Sequence, residues 1–497
     1  MALLSASKPA FPRAVTVVFT PARGVSSFNN HNHNYNSTST SKQKTPSSTV
    51  RSSYTSAYAE TRPSSESTTP KPNLPPLSAL PTSVLLRSLL ISTISSKPYL
   101  LLPSLHTLSF LCKPRAGPLL NVDRNPILHA LLKSTFYKQF CAGETHDEVR
   151  ATIKQLADMG FQGTIMTYAK ETVFDSKTNT STGLGVASDA TEGEGEAFCQ
   201  QIEAWRKGTV ETIELLSEND YLALKLTGAG PSVCEAFTQG SLPPPQMLTA
   251  LDEICTKSAA RGARILVDAE SHHFLSGILR VTLDLMRKYN VDGKARIYNT
   301  YQAYLKETPA TIERHLQAAS GEGFTLGLKL VRGAYIASDE RSLIHDTKED
   351  TDRAYNTIAQ GALRQELCGF GSNNKSFPSV NLFLASHNKE SVLAAHNLRQ
   401  QRLKEKLPTV PVGFAQLHGM SDEVSFSLLQ LKGKNGASAN EPQVYKCSTW
   451  GGLGECLAYL LRRAIENRDA VGRTGDEYRA LKGEVRRRVR AFFGASS

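Results

Sequence analysis

In the stretch TLGLKLVRGAY (325–335), leucine occupies every second position from 326 to 330, and Lys329 lies between two of the leucines. This alternation is typical of a β-strand, in which successive side chains point to opposite faces. The leucine face suits contact with covering helices, so Lys329 should point to the inner face. The run YLALKLTG (221–228) repeats the pattern with Lys225. Because a buried ammonium group is costly without an anion, two inward lysines predict a site for an anionic ligand.

Strand-like runs recur along the chain and alternate with helical patterns. The predicted strands are 163–169, 221–228, 264–270, 296–305, 325–335, 380–388, 410–419 and 443–448. The predicted helices are 197–217, 245–261, 273–289, 309–320, 346–366, 389–404, 422–431 and 454–467. Eight strands alternating with eight helices predict an α/β fold, most simply a (β/α)8 TIM-type barrel, with a doubly wound sheet as the alternative. No G-x-G-x-x-G motif follows a predicted strand and no P-loop occurs, which argues against a Rossmann dinucleotide site.

The amino-terminal segment, residues 1–73, differs in composition from the rest. It is rich in Ser, Thr and Asn, has no acidic residue before Glu60 and carries a net charge of +6. This composition is typical of a cleaved organellar transit peptide, mitochondrial or plastid, and predicts a disordered leader; a plain disordered tail is the alternative. We expect an N-terminal helical segment at 74–145, the barrel at 146–475 and a basic helix or tail at 476–497.

Charge and cysteine content exclude several classes of function. The chain has 57 basic and 46 acidic residues, a formal net charge of +11. Because more than half of this excess lies in the leader, the remainder is only mildly basic, which argues against nucleic-acid binding. The eight cysteines form no C-x-x-C pair and no cluster with histidine at zinc spacing. We therefore expect reduced, buried thiols and neither a disulfide framework nor a metal site.

Residues 84–112 are apolar but are interrupted by two cations and two prolines. A membrane-spanning helix needs roughly 20 consecutive apolar residues. We therefore predict two short helices, Pro81–Ser95 and Leu100–Leu111. They could pack on the main domain or touch a membrane surface, and packing is the favoured alternative.

The predicted last helix contains the sequence ECLAYLLRRAIEN (455–467). Tyr459, Arg462, Arg463 and Glu466 share one broad face of it, because residues three and four apart are neighbours on a helix. Two guanidinium groups beside an aromatic ring suit a ligand that has a carboxylate and a small apolar body. The alternative is a solvated arginine–glutamate pair of little energetic value.

Several spaced motifs occur in order between Phe136 and Asn467. They are FYKQFCAGE (136–144), LVDAES (266–271), YNTYQAYLK (298–306), LKLVRGAY (328–335), KEDTDRAYN (348–356), ASHN (385–388), QLHGMSD (416–422), VYKCSTWG (444–451) and YLLRRAIEN (459–467). Together they resemble the proline dehydrogenase (proline oxidase) family, and the leader and the STWGGLGE segment look most like a plant mitochondrial member.

The resemblance implies a distorted (β/α)8 barrel that holds non-covalent FAD. Such an enzyme oxidises L-proline to Δ1-pyrroline-5-carboxylate by hydride transfer from C5 to flavin N5, the first step of proline catabolism to glutamate. The resemblance also implies a mitochondrial location, a membrane quinone as electron acceptor and peripheral contact with the inner mitochondrial membrane.

The resemblance further implies roles for residues at the predicted strand ends and on the last helix. The substrate carboxylate would be held by Lys225, Arg462 and Arg463, with Asp268 offsetting their charge. The pyrrolidine ring would be walled by Tyr335, Leu417, Tyr445 and Tyr459. FAD would be contacted by Gln302, Lys329, Val331, Gly333, Ala334, Lys348, Ser386, His387, Asn388 and Glu466. A bulky tyrosine at 445 would exclude a ring hydroxyl, so the resemblance implies a preference for proline over 4-hydroxyproline.

Other functions remain open at this point. One is a different flavin-dependent TIM-barrel oxidoreductase of the folate-reductase type, which would consume a reduced nicotinamide. Another is a non-catalytic basic protein that binds acidic membranes or RNA, for which RRRVRAFF (486–493) is the support in the sequence. A barrel that senses proline without turning it over is a third.

Overall fold

A computed structural model of the chain describes most residues beyond the predicted leader. The described residues are 74–111, 121–168, 171–175, 180–184, 198–336, 338–372, 375–432, 441–469 and 471–494, with side chains excepted at 171–184, 458 and 466–474. The predicted leader, 1–73, therefore lies outside the described residues.

Eight parallel strands close into a barrel, which confirms the predicted TIM-type fold. The strands of the chain are β1 (Gly163–Tyr168), β2 (Glu171–Asp175), β3 (Thr180–Leu184), β4 (Tyr221–Leu224), β5 (Arg264–Val267), β6 (Ile297–Gln302), β7 (Leu326–Val331), β8 (Val380–Ala385), β9 (Val412–Leu417) and β10 (Gln443–Trp450). Around the barrel they follow the order β1-β10-β9-β8-β7-β6-β5-β4, and β2 and β3 form a separate antiparallel hairpin. The carboxyl ends of the eight barrel strands share one end of the barrel, the place where enzymes of this fold carry their active sites.

Helices cover the barrel and precede it. They are α1 (Thr82–Ser95), α2 (Pro98–Leu111), α3 (Pro126–Leu132), α4 (Lys138–Phe140), α5 (His146–Asp158), α6 (Gln200–Leu215), α7 (Pro231–Thr238), α8 (Pro245–Ala260), α9 (His272–Tyr289), α10 (Thr308–Glu322), α11 (Lys348–Arg364), α12 (Lys389–Lys404), α13 (Asp422–Leu429), α14 (Leu453–Asp469) and α15 (Val471–Phe492). The predicted helices at 81–95 and 100–111 are confirmed as α1 and α2, and both contribute buried side chains to the core.

Some elements differ from the prediction. The sequence analysis did not include α5, α7 or the β2–β3 hairpin. The predicted boundary at 475/476 falls inside helix α15. Leu481 and Glu484 of α15 are buried, so this helix packs on the body of the protein and is not a free tail.

Aromatic side chains fill the barrel at the amino ends of its strands. The rings of Tyr221 and Tyr445 lie with their centroids 5.1 Å apart, and the ring of Phe383 lies 5.5 Å from that of Tyr445. Tyr298 completes this group, which we call the aromatic floor. Gly327 makes room for it, because a Cβ at this position would lie 2.7 Å from the Cα atom of Tyr298. The floor closes one end of the barrel and leaves the other end to the site.

We predict that Gly327→Ala lowers the free energy of unfolding by about 1–3 kcal/mol, because the methyl group would collide with backbone that cannot rotate away. The contacts are the Ile297 carbonyl oxygen at 2.2 Å and the Tyr298 Cα atom at 2.7 Å. Urea denaturation measures the change. The matched control is Gly321→Ala on α10, where a Cβ meets nothing within 4 Å and where we expect a gain of about 0.5–1 kcal/mol. Equal effects of the two substitutions would contradict the close approach at Gly327.

Candidate active site

Two lysines and one aspartate meet inside the barrel near the carboxyl ends of its strands. Nζ of Lys329 lies 2.5 Å from Oδ1 of Asp268, and Nζ of Lys225 lies 3.3 Å from Oδ2. The side chains of Lys225, Asp268 and Lys329 are 13%, 17% and 11% exposed. The predicted inward orientation of both lysines is confirmed. We call these three residues the charge cluster.

The charge cluster carries a net positive charge. Burial opposes ionisation of Asp268, but Lys329 and Lys225 outweigh it and hold the pKa of this carboxyl below its ordinary value of 3.8. The carboxylate is therefore ionised at neutral pH and neutralises one of the two ammonium groups. The excess cation favours binding of an anionic ligand.

The backbone at Lys225 is held by a buried acid that the sequence analysis missed. The two N–H groups that follow Lys225 in the chain donate to Oε1 of Glu270 at 2.9 and 3.1 Å. The carbonyl of Lys225 accepts from Nε1 of Trp205 at 2.9 Å. Glu270 is therefore a positioning residue. Its signal in the sequence is a second acid placed two residues after Asp268.

Helix α14 carries the two arginines of the predicted site, Arg462 and Arg463. Arg463 is buried, and its guanidinium carbon lies 5.0 Å from the centroid of the Tyr459 ring. Burial raises the pKa of the Cys447 thiol, on β10, to about 11, and Asp268 adds to this rise. The cations that oppose the rise are Lys329, Lys225 and Arg463. The charge cluster and Arg463 therefore all act electrostatically on the same thiol.

Arg462 and Leu417 are two more residues of the predicted site. Arg462 precedes Arg463 on α14 and is half-buried. Leu417, the last residue of β9, packs at the edge of the apolar cluster that also holds Tyr459. Leu417 and Tyr459 therefore border the same apolar cluster, and the two arginines follow Tyr459 on α14.

Tyr445 does not lie at the site, and the prediction that it walls a substrate ring is corrected. Its side chain is 1% exposed and belongs to the aromatic floor, in contact with the ring of Tyr221. Tyr221 begins β4 and precedes Lys225 by four residues, a rise of about 13 Å along a strand. The residue of β10 that interacts with the charge cluster is Cys447, which the sequence analysis did not name as a site residue.

The strands β6 and β7 and the loop after β7 carry five predicted residues: Gln302, Val331, Gly333, Ala334 and Tyr335. Gln302 and Val331 are paired in the register of β6 and β7. Gly333 has φ of 137°, and a Cβ there would lie 2.4 Å from the ring of Tyr304. Tyr335 is buried, whereas Ala334 is exposed. This part of the strand-end surface therefore combines an amide, a turn without a side chain and a tyrosine.

The loop after β8 carries Ser386, His387 and Asn388. The Ser386 hydroxyl accepts from Nη1 of Arg332 at 2.6 Å, and Asn388 caps α12 by accepting from the N–H of Ser391 at 2.9 Å. The N–H of Leu417 donates to Nε2 of His387 at 3.1 Å, which leaves Nδ1 as the protonated nitrogen of the neutral ring. The serine and asparagine thus fix the loop, and the histidine is oriented by its contact with β9.

Lys348 and Glu466 are the last two predicted contacts. Lys348 begins α11, is largely exposed and pairs with Asp352. The other oxygen of Asp352 accepts from Nε of Arg332 at 2.6 Å, so Lys348 and the loop after β8 are linked through one arginine. Glu466 belongs to α14, and its side chain lies outside the described residues.

Two classes of site are not found in the part of the chain that the structure describes. No group of three or more His, Cys, Asp or Glu side chains there could hold a metal ion. None of the described helices combines the length and the apolarity that a membrane-spanning helix needs.

A closed (β/α)8 barrel with a cationic cluster at its strand ends defines the class of protein, a TIM-type barrel with charged groups where enzymes of this fold carry their active sites. A sequence profile of the family described as proline dehydrogenase matches residues 149–476. The match covers about two-thirds of the chain. The chain therefore belongs to the proline dehydrogenase family.

Individual relatives agree with this assignment. The chain is 28% identical to a probable mitochondrial proline dehydrogenase of Schizosaccharomyces pombe, over 71% of this chain and 80% of the relative. It is 30% identical to a hydroxyproline dehydrogenase of Bos taurus, over 72% of this chain and 82% of the relative. Proline utilization A of Bdellovibrio bacteriovorus shares the fold, with a TM-score of 0.56 at 16% identity over 76% of this chain. The chain spans 38% of the length of that bacterial protein.

We predict that Asp268→Asn lowers the free energy of unfolding by at least about 2 kcal/mol at neutral pH, because it leaves two buried ammonium groups without their anion. The folded-state pKa of Asp268 lies below 3.8. The stabilisation by the Asp268 carboxylate is therefore fully present above the ordinary pKa of 3.8 and is lost as the pH falls through the folded-state pKa. Urea denaturation at neutral and acidic pH measures both effects.

The matched control for Asp268→Asn is Asp284→Asn, which removes one partner of the half-exposed pair with Arg287. We expect this control to change the free energy of unfolding by less than about 1 kcal/mol. A stability of Asp268→Asn equal to that of the control would contradict the role of the charge cluster.

Proposed function

We propose that the protein is an FAD-dependent proline dehydrogenase that oxidises L-proline to Δ1-pyrroline-5-carboxylate. The observation that carries the proposal is the charge cluster at the strand ends of a barrel in this family, and Arg463 supports it because it acts on the same buried thiol, Cys447, as the cluster does. Family membership favours this activity over the folate-reductase-like and non-catalytic alternatives.

In this proposal, cations hold the carboxylate of proline. Lys225, Arg462 and Arg463 donate to it, and charge-assisted hydrogen bonds of this kind contribute about 1.5–3 kcal/mol each. Asp268 reduces the repulsion between the cations before the substrate arrives. Tyr459 and Leu417 pack against the apolar part of the ring, as their shared apolar cluster supports. A substrate fixed at both its charged and its apolar end has little freedom to turn its reacting carbon away.

The strand ends next to the charge cluster fit a flavin. The pyrimidine edge of a flavin presents nitrogen and oxygen acceptors, and Lys329, Gln302 and His387 offer donors here. The inward residues two positions before Lys225, His387 and Leu417 are alanines at 223, 385 and 415, and these small side chains leave space for a flat ring system. The chemistry that a bound FAD supplies is acceptance of the hydride from C5 of proline at flavin N5.

We propose the following residues as the set that contacts FAD: Gln302, Lys329, Val331, Gly333, Ala334, Lys348, Ser386, His387, Asn388 and Glu466. Ser386 and Asn388 already have partners within the protein, so their contribution is mainly to hold the loop that carries His387. The missing side chain at Gly333 lets a ligand approach the backbone of the loop after β7.

Location and electron acceptor complete the proposal. Relatives named as mitochondrial, such as the Schizosaccharomyces pombe protein, support a mitochondrial location, and the basic, acid-poor composition of residues 1–73 suits a transit peptide. We propose membrane quinone as the acceptor of the two electrons taken from proline, with peripheral contact at the inner mitochondrial membrane.

We predict that Arg463→Met raises the KM for proline at least about tenfold, because losing roughly 1.4 kcal/mol of carboxylate binding is a factor of ten. Steady-state oxidation of L-proline with a dye acceptor measures it. The control is Arg479→Met on α15, whose side chain is exposed and pairs with Asp476. An unchanged KM in Arg463→Met would contradict the carboxylate role, and no proline-dependent dye reduction by the unmodified protein would refute the proposed function.

A second substrate, 4-hydroxyproline, is favoured by one observation. With Tyr445 in the aromatic floor, the residue that β10 presents near the charge cluster is the small Cys447. The bulky tyrosine side chain that would exclude a ring hydroxyl therefore does not lie on this side of the proposed site. The Bos taurus relative named hydroxyproline dehydrogenase is 30% identical to the chain.

We predict that Cys447→Tyr lowers the ratio of kcat/KM for 4-hydroxyproline to that for proline at least about tenfold, through a steric cost of roughly 1.4 kcal/mol. Competition kinetics with the two amino acids measures the ratio. Tyr445→Phe is the control, because it keeps the ring of the aromatic floor and should leave the ratio unchanged. A ratio that responds to Tyr445→Phe and not to Cys447→Tyr would contradict the corrected position of the site wall.

A further inference from the structure

A buried aspartate, Asp339, lies where three strand-end loops meet. Its side chain is 5% exposed. Oδ1 accepts from the Ser271 hydroxyl and from the N–H of His272, each at 3.0 Å, and Oδ2 accepts from the Tyr304 hydroxyl at 2.6 Å. Ser271 follows β5, Tyr304 follows β6 and Asp339 follows β7. One carboxylate therefore joins the segments that leave three adjacent strands of the barrel.

Tyr304 holds the loop after β7 at two points. Its N–H donates to the carbonyl of Arg332 at 2.8 Å, where the loop begins. Its ring lies so close to Gly333 that a Cβ there would collide with it. Burial and the neighbouring Asp339 raise the pKa of the Tyr304 hydroxyl above its ordinary value of 10. The hydroxyl therefore keeps its proton and donates to Asp339, where the loop ends.

The loop between these two points carries Tyr335, which is 6% exposed. The carbonyl of Tyr335 accepts from the N–H groups of Ser338 and Asp339, at 3.0 and 2.8 Å. These two hydrogen bonds close a turn, so the backbone of Tyr335 is tied to that of Asp339. Whatever fixes the side chain of Asp339 therefore also fixes the position of the tyrosine.

The contact of Asp339 with the loop after β5 is next to the contact that holds Lys225. Glu270 accepts from the two N–H groups that follow Lys225 in the chain. Ser271, the next residue, donates to Asp339. Glu270 and Ser271 are 0% and 1% exposed. Two consecutive buried residues therefore connect the backbone at Lys225 with the loop that carries Tyr335.

We propose that Asp339 is a positioning residue that sets the placement of Tyr335 relative to Lys225. It acts through the loop after β7 and not by contact with the substrate. This inference rests on the proposed function, in which Lys225 binds the carboxylate of proline and Tyr335 packs against the ring. Because Tyr335 contacts the ring both before and during hydride transfer, displacing it weakens substrate binding more than it slows turnover.

The test is Asp339→Ala, which leaves three donors without the acceptor that joins them. We expect the KM for proline to rise at least about fivefold and kcat to change less than about twofold. Steady-state reduction of a soluble dye, referred to the flavin absorbance of each preparation, measures both constants. A residue with a merely structural role would lower stability and leave the KM of the folded protein unchanged.

The matched control is Asp346→Ala. Asp346 also lies between β7 and α11, but its side chain is 80% exposed and pairs with Lys306, so both constants should equal those of the unmodified chain. Tyr304→Phe is a milder variant that removes the hydroxyl and keeps the ring against Gly333, and it should also raise the KM. Combined with Asp339→Ala, it should add nothing further, because the same hydrogen bond is already lost.

Amide hydrogen exchange without proline gives a readout that does not depend on activity. In the peptide that contains Tyr335, we expect Asp339→Ala to speed exchange at least about tenfold and Asp346→Ala to leave it unchanged. A folded Asp339→Ala protein with an unchanged KM or with unchanged exchange would overturn the proposal, as would additive effects of Asp339→Ala and Tyr304→Phe on the KM. If the unmodified chain does not reduce the dye with proline, the proposed function fails, and the exchange rates alone decide whether Asp339 holds the loop.

Discussion

Two ammonium groups share the carboxylate of Asp268 inside the barrel, at 2.5 and 3.3 Å. A barrel interior is ordinarily filled with branched apolar side chains, and two lysines there would repel each other and lose their hydration. The aspartate makes their burial tolerable but does not neutralise them completely. In the proposed function, the arginines of α14 add to this residual positive charge, and the carboxylate of proline balances it.

Much of the fold could be predicted from the sequence because its signals are local. Leucine alternates with other residues in 221–228 and 325–335, and this alternation shows which side chains face the helices. It does so whatever the strand packs against, because successive side chains of any strand point to opposite faces. Elements without such a signal are less well predicted: α7 is short and was missed, and α15, predicted as a basic helix or tail at 476–497, begins at Val471. The packing that buries Leu481 depends on partners distant in the sequence, which a local pattern does not contain.

The site could be predicted in part for the same reason. The alternation with leucine identifies Lys225 and Lys329 as inward residues, and helix spacing puts Arg463 on one face with Tyr459. The alternation along a strand shows which side chains face inward, but it does not show how far along the barrel axis each of them lies. Tyr445 and Cys447 both face inward on β10, and only the register with neighbouring strands shows that the tyrosine joins the aromatic floor while the thiol lies near the charge cluster. Glu270, which holds the backbone at Lys225, was missed because its role is a contact between two loops.

The aromatic floor and the charge cluster lie at opposite ends of the barrel. Large rings close the amino end, alanines lie above them, and charged groups occupy the carboxyl end, where the proposed function puts the flavin and the amino acid. The most direct measurement of this account is the visible absorption spectrum of the purified protein before and after anaerobic addition of L-proline. The account predicts the absorption of an oxidised flavin that bleaches when proline is added. A protein without flavin absorption, or one whose flavin absorption is unchanged by proline, would contradict it.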